Sequence, residues 1–60
     1  MHYLTIYRIE KAEELLLNTT MNCSEIAEAI GFESIHSLSR IFRRIKGQPP
    51  IVYRQIHRGR

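Results

Sequence analysis

The stretch NCSEIAEAIGFESIHSLSRIFRRI, residues 22–45, decides the architecture of this chain. Asn22 offers a side-chain cap with Glu25 three positions on, a capping-box pattern that opens a helix. Gly31 stops that helix, and Phe32 directly after it supplies the apolar contact that follows a glycine stop. Ser34 then caps a second helix, expected over residues 34–45 and closed by Gly47. At 100° per residue, Cys23, Ile26, Ala27 and Ile30 fall within an arc of about 100°, with Ser24, Glu25 and Glu28 outside it. On the second helix Ile35, Leu38, Ile41, Phe42 and Ile45 share about 120°, while His36, Arg40, Arg43 and Arg44 lie opposite. Two amphipathic helices joined by a glycine turn read as a helix-turn-helix with a basic outer face.

A longer helix is expected ahead of this unit, over residues 3–17, filled with Glu, Lys, Ala and Leu and ended by Asn18-Thr19-Thr20. It is apolar on two sides. Leu4, Ile9, Ala12, Leu15 and Leu16 make one stripe, inside which the stem of Arg8 can pack while its guanidinium reaches outward. Tyr3, Ile6, Tyr7 and Leu17 make a second stripe, which implies a partner beyond the small bundle itself. Downstream, Pro49-Pro50 imposes an extended stretch, and a short closing helix is expected over residues 50–56. With no strand alternation or repeat, the fold class is all-α: a small helical bundle forming one domain over residues 1–60.

At 60 residues the chain holds one small domain and leaves little room for an enclosed catalytic cleft. A hydrophobic fraction of 43% with 25% charged residues is that of a folding sequence, not a disordered tail. The single cysteine, Cys23, excludes an internal disulfide and a self-contained structural zinc site; lying on a buried stripe without a base beside it, it reads as packing. His2, His36 and His57 stand on separate segments. Neither an enzyme activity nor a cofactor or metal is therefore expected. No apolar run approaches the roughly 20 residues of a membrane span and no signal segment opens the chain, so the cytoplasm is the expected compartment. The glycosylation-like triplets Asn18-Thr19-Thr20 and Asn22-Cys23-Ser24 are then coincidental, and the glycine-broken helices argue against a membrane-surface peptide.

The net charge of +3 hides a polarity along the chain. All six acidic residues precede Ser34, where Arg8 and Lys11 are the only bases; from Ser34 onward there are seven Lys or Arg and no acid. That is the electrostatic footprint of a surface facing a polyanion, unless the basic half is merely a solvated face.

With these residues in order, the chain from about residue 3 to residue 54 resembles the C-terminal half of the DNA-binding domain of the AraC/XylS family of bacterial transcription regulators. Arg8-Ile9-Glu10-Lys11-Ala12 with Leu15-Leu16 looks like the family's linker helix. Glu25-Ile26-Ala27, Gly31-Phe32, Ser37-Leu38-Ser39-Arg40, Phe42, Gly47, Pro49 or Pro50, and Tyr53-Arg54 follow in the family's order and spacing. The resemblance implies that only the linker helix and the second of two helix-turn-helix units are represented, as in an engineered fragment or natural truncation. It also gives the two-faced first helix a purpose: Tyr3, Ile6, Tyr7 and Leu17 would meet the first unit or mediate self-association. Cys23, where a larger aliphatic is usual, and Leu38, where an aromatic is common, depart from the family pattern and shrink the core.

A helix of about 12 residues is roughly 18 Å long and fits a major groove about 12 Å wide. Helix-turn-helix docking brings the N-terminal part of the second helix to the base edges of double-stranded DNA. Ile35, His36, Ser37 and Arg40 are accordingly the candidate base contacts: Arg40 through a bidentate fork to guanine, Ile35 through a thymine methyl. Ser39 lies close to the same edge, and Ser34, Ser39, Arg43, Arg44 and Lys46 are the candidate backbone contacts. Plainer roles stand beside these: a salt bridge from Arg40 to Glu33 or Glu28, capping by Ser34, core rim for Ile35, a solvated tail for Arg58 and Arg60. The competing function is a protein-interaction module in which the first helix binds a partner and the basic helix is incidental.

Overall fold

The computed structural model describes residues 3–58, with the backbone alone for Tyr3. Four helices follow in order: α1 (Tyr3–Asn18), α2 (Cys23–Ile30), α3 (Ile35–Lys46) and α4 (Pro50–Arg58). The fold is all-α. Local chemistry sets the ends of the central pair. Asn22 has an extended backbone, and its Oδ1 accepts the Glu25 N–H at 2.8 Å while its own N–H donates to Glu25 Oε1 at 2.9 Å. Two otherwise unsatisfied donors are thereby paired reciprocally. Gly31, at φ 99°, ends α2, and its N–H and that of Phe32 both donate to the Ala27 carbonyl, at 3.0 and 2.9 Å. A left-handed residue is required for that turn, and only glycine takes it without a side-chain penalty. Ser34 Oγ accepts the Ser37 N–H at 3.3 Å to open α3.

The core is assembled from all four helices. Ile9, Ala12 and Leu16 of α1 meet Cys23, Ile26 and Ala27 of α2, Leu38 and Phe42 of α3, and Tyr53 of α4. Phe42 and Tyr53 meet edge-on, ring centroids 5.1 Å apart at 77°, an arrangement aromatic quadrupoles favour. α1 packs against each of the other three helices. It is the spine from which α3 is presented.

Two sequence expectations change. α4 starts at Pro50, where a missing N–H costs nothing because the first helical turn has no acceptor for it. But it runs nine residues, past the expected 50–56, and Tyr53 N–H closes its first turn on the Pro49 carbonyl at 2.8 Å. The stripes of α1 also divide differently. Leu4, expected in the core, is 53% exposed, whereas Leu17, expected on the partner face, packs against the buried cluster. The buried positions of α1 begin at Ile9 and continue through Ala12 and Leu16, so the helix is covered from there onward and less near residue 4. Among the described residues no helix is long and apolar enough to cross a membrane.

Candidate nucleic-acid interface

Because Leu38 and Phe42 anchor one side of α3 in the core, its other side faces outward. His36, Arg40 and Arg43, spaced four and then three residues apart, share a ridge on that side and are all exposed. Arg44 is exposed on one flank beside the half-buried Ser37; the half-buried Ser39 lies on the other flank. Ile35 is 38% exposed at the helix entrance. Ser34 is exposed, but its hydroxyl oxygen is engaged by the cap to Ser37. Arg40 joins neither ion pair formed among the described residues, so the alternative bridges to Glu28 and Glu33 are not made.

Not every base of the C-terminal half belongs to this face. Arg60 lies outside the described residues. Lys46, expected to face phosphates, places its Nζ 2.9 Å from Glu13 Oε1 on α1. Arg54 donates from Nε to the Leu16 carbonyl at 2.9 Å and from Nη2 to the carbonyls of Thr19 and Met21 at 3.2 and 2.6 Å. Arg58, expected as solvated tail, donates from Nη1 to the Leu16 and Thr19 carbonyls at 3.0 and 2.6 Å. The last turn of α1 contains no basic residue of its own, so two guanidiniums from α4 satisfy the carbonyls exposed at its negative end. Arg40, Arg43 and Arg44 remain as the unpaired cations of α3 among the described residues.

Sequence reasoning missed this second network. Glu13 accepts Lys46 on one carboxylate oxygen and the Tyr53 hydroxyl on the other. The Tyr53 hydrogen bond and Lys46 hold its carboxyl below the usual carboxylate value, and the same hydrogen bond raises the Tyr53 hydroxyl. Burial pushes the Cys23 thiol up, which keeps it protonated and suits the packing role expected of it. The only available sequence signal was the four-residue spacing of Arg54 and Arg58, which puts both on one side of α4 without saying what they reach.

The expected partner face is partly redistributed. Tyr3's side chain lies outside the described residues, Ile6 and Tyr7 are 40% and 52% exposed, and Leu17 is turned inward. An open groove of about 500 Å³ runs along α1 from Leu4 to Leu15 beside the end of α2, with Leu4, Tyr7 and Leu15 opposite Ala29 and Ile30. Arg8 and Lys11 also line it.

A family model described as a helix-turn-helix domain matches residues 1–56. The HTH-type transcriptional activator RhaR of Enterobacter sp. (strain 638) is 41% identical over 59 residues, 98% of this chain and 20% of that protein. A putative AraC-like transcription regulator of Streptomyces lividans is 38% identical over 55 residues, 92% of this chain and 18% of that one. Among solved structures, the DNA-binding domain of the global transcriptional factor AdpA, crystallised in complex with a target DNA, superimposes with a TM-score of 0.92 at 33% identity. That match covers 95% of this chain and 51% of AdpA's. The chain spans between 15% and 22% of the length of the curated relatives it matches. With its capped helix pair, glycine turn and spine helix in the family's order, the chain belongs to the AraC/XylS-type helix-turn-helix family of transcription regulators.

Proposed function

We propose that this chain is part of the sequence-specific DNA-binding domain of a bacterial transcription regulator, with α3 seated in the major groove of double-stranded DNA. The observation that carries the proposal is the exposed face of α3, where Arg40, Arg43 and Arg44 stand free of ion pairs on a 12-residue helix. The likeness to AdpA's DNA-binding domain, crystallised in complex with a target DNA, supports DNA as the partner. His36 and Arg40, on the outermost ridge near the helix start, read base edges, with Ser37 and Ile35 contributing from its margins. Arg43, Arg44 and Ser39 contact phosphates, as do the backbone N–H groups at the Ser34 cap. Lys46 is held on Glu13 and is left out of this set. The role is recognition without catalysis, in the cytoplasm.

Binding to an operator selected from a random pool distinguishes the two kinds of contact. Arg40→Ala should cost about 1–3 kcal/mol on the selected site and relax preference at one base pair. Arg44→Gln should weaken selected and random duplexes alike and flatten the salt slope by about one unit. Equal losses on both duplexes for both variants would remove Arg40 from the base-reading role.

A second reading concerns partners. The groove beside Leu4 and Tyr7 favours docking of another helix-turn-helix unit or a second copy of the chain. It complements the DNA-facing role of α3, since the two surfaces use different residues.

A further inference from the structure

Lys46 sits in the last turn of α3, three residues after Arg43 and seven after Ser39, on the flank of the exposed face. Its ammonium does not extend along that flank. Nζ lies 2.9 Å from Oε1 of Glu13, with the two side chains only 22% and 28% exposed. An ordinary surface pair such as Lys11–Glu14, at 3.3 Å and more than half exposed on its acidic side, exchanges readily with solvent or a competing anion. The Glu13 pair differs because its acid is held from behind. The second carboxylate oxygen accepts the hydroxyl of Tyr53, a buried side chain set edge-on to Phe42 and stacked on His57 at 4.1 Å. Glu13 cannot follow Lys46 outward without breaking a hydrogen bond anchored in the core.

We propose that Glu13 is a specificity-determining residue that withholds Lys46 from DNA phosphates, leaving the sequence-independent attraction of α3 to Arg43 and Arg44. The proposal rests on α3 being the DNA-facing helix. Each freed cation adds about 0.9 to the slope of log affinity against log salt, and it adds this on every sequence, because a phosphate carries no base information. A lysine freed at this position would raise binding to random DNA along with binding to the operator. Restraining it favours discrimination over total affinity.

The test measures binding of the 60-residue chain to a random-sequence duplex by fluorescence anisotropy between about 50 and 200 mM salt, the range over which phosphate contacts are resolved. Glu13→Gln keeps an acceptor for Tyr53 and removes the charge that holds Lys46. Glu10→Gln removes the same formal charge from an exposed position of the same helix and serves as the control. Glu13→Gln should steepen the salt slope by about 0.9 more than Glu10→Gln does. Adding Lys46→Gln to it should restore the wild-type slope. Lys46→Gln alone should leave the slope unchanged; a fall of about one unit would show Lys46 already on phosphate and overturn the proposal. Identical slopes for Glu13→Gln and Glu10→Gln would overturn it too. If Glu13→Gln does not fold, Tyr53→Phe, which loosens the anchor and keeps the charge, must move the slope in the same direction. Should the wild-type chain show no salt-dependent binding to any duplex, the DNA-facing reading itself fails. Retention on phosphocellulose then decides the Lys46 restraint separately: Glu13→Gln elutes later than Glu10→Gln if the restraint exists, and with it if not.

Discussion

Glu13 shows how one residue can join three helices. Its folded-state pKa is depressed by the Tyr53 hydrogen bond first and by Lys46 second. The folded chain therefore binds fewer protons at this site than the unfolded chain. The stabilisation is complete above the ordinary glutamate value of about 4.3 and is lost as pH falls through the lower folded value. Tyr53 runs the other way, since its raised pKa stabilises the fold below about pH 10 and that contribution disappears as pH climbs through the folded value. Tyr53→Phe should cost about 1–2 kcal/mol at neutral pH, one charge-assisted hydrogen bond at a partly open site, and should shrink the acid-side loss of stability. Thermal melts across pH 3–7 would check this, and an unchanged acid limb would count against the Glu13–Tyr53 linkage. None of it was legible from residues alone. Glu13 and Tyr53 are 40 positions apart, and nothing in either one's local pattern marks the other.

At the scale of elements, the parts that sequence revealed are those governed by neighbours. The Asn22 box, the Gly31 stop, the Ser34 cap and the phase of α3 each depend on residues within about one helical turn, and each stands where it was expected. The Gly47 stop behaves likewise. What escaped is the fastening of α1 by α4, because Arg54 and Arg58 act on carbonyls 33 to 42 positions earlier. Among the described bases from Ser34 onward, the fold turns Arg40, Arg43 and Arg44 outward and Lys46, Arg54 and Arg58 onto α1 and its end. Arg54→Met should lower stability by about 2 kcal/mol through the loss of three charge-assisted bonds and accelerate amide exchange near residues 19–21, with the α3 amides little affected. Arg54→Lys should not restore protection, since an ammonium lacks the planar fork that reaches several carbonyls. Full protection in the lysine variant would show that charge alone suffices.

For the whole molecule, the consequential surface is the groove between α1 and α2. Two apolar sides on α1 were visible as helical periodicity, but periodicity treats the helix as uniform along its length, and the bundle leaves Leu4 exposed while burying Ile9, Ala12 and Leu16 of the same stripe. The groove joins Leu4 to Tyr7 of the expected stripe, from which Leu17 is withdrawn into the core. Sedimentation equilibrium of the isolated chain should show concentration-dependent association that Tyr7→Asp or Leu4→Asp reduces about tenfold or more, the effect of removing roughly 1.4 kcal/mol of apolar contact. A stronger effect from Ile6→Asp would return the partner face to the far side of α1. A monomer at all concentrations would leave the groove for a different helix-turn-helix unit.

The guanidinium clamp on the end of α1 also bears on the order in which the molecule comes together. Its two donors reside in the last helix, so as the polypeptide is synthesised α1, the turn and α3 emerge before the groups that fasten them. The spine is consequently secured late, and a released chain truncated before residue 54 should present α3 on a loosely hinged support. Completion of α4 adds Tyr53 to the core that joins α1 to α3 and fixes the end of α1 at the same time.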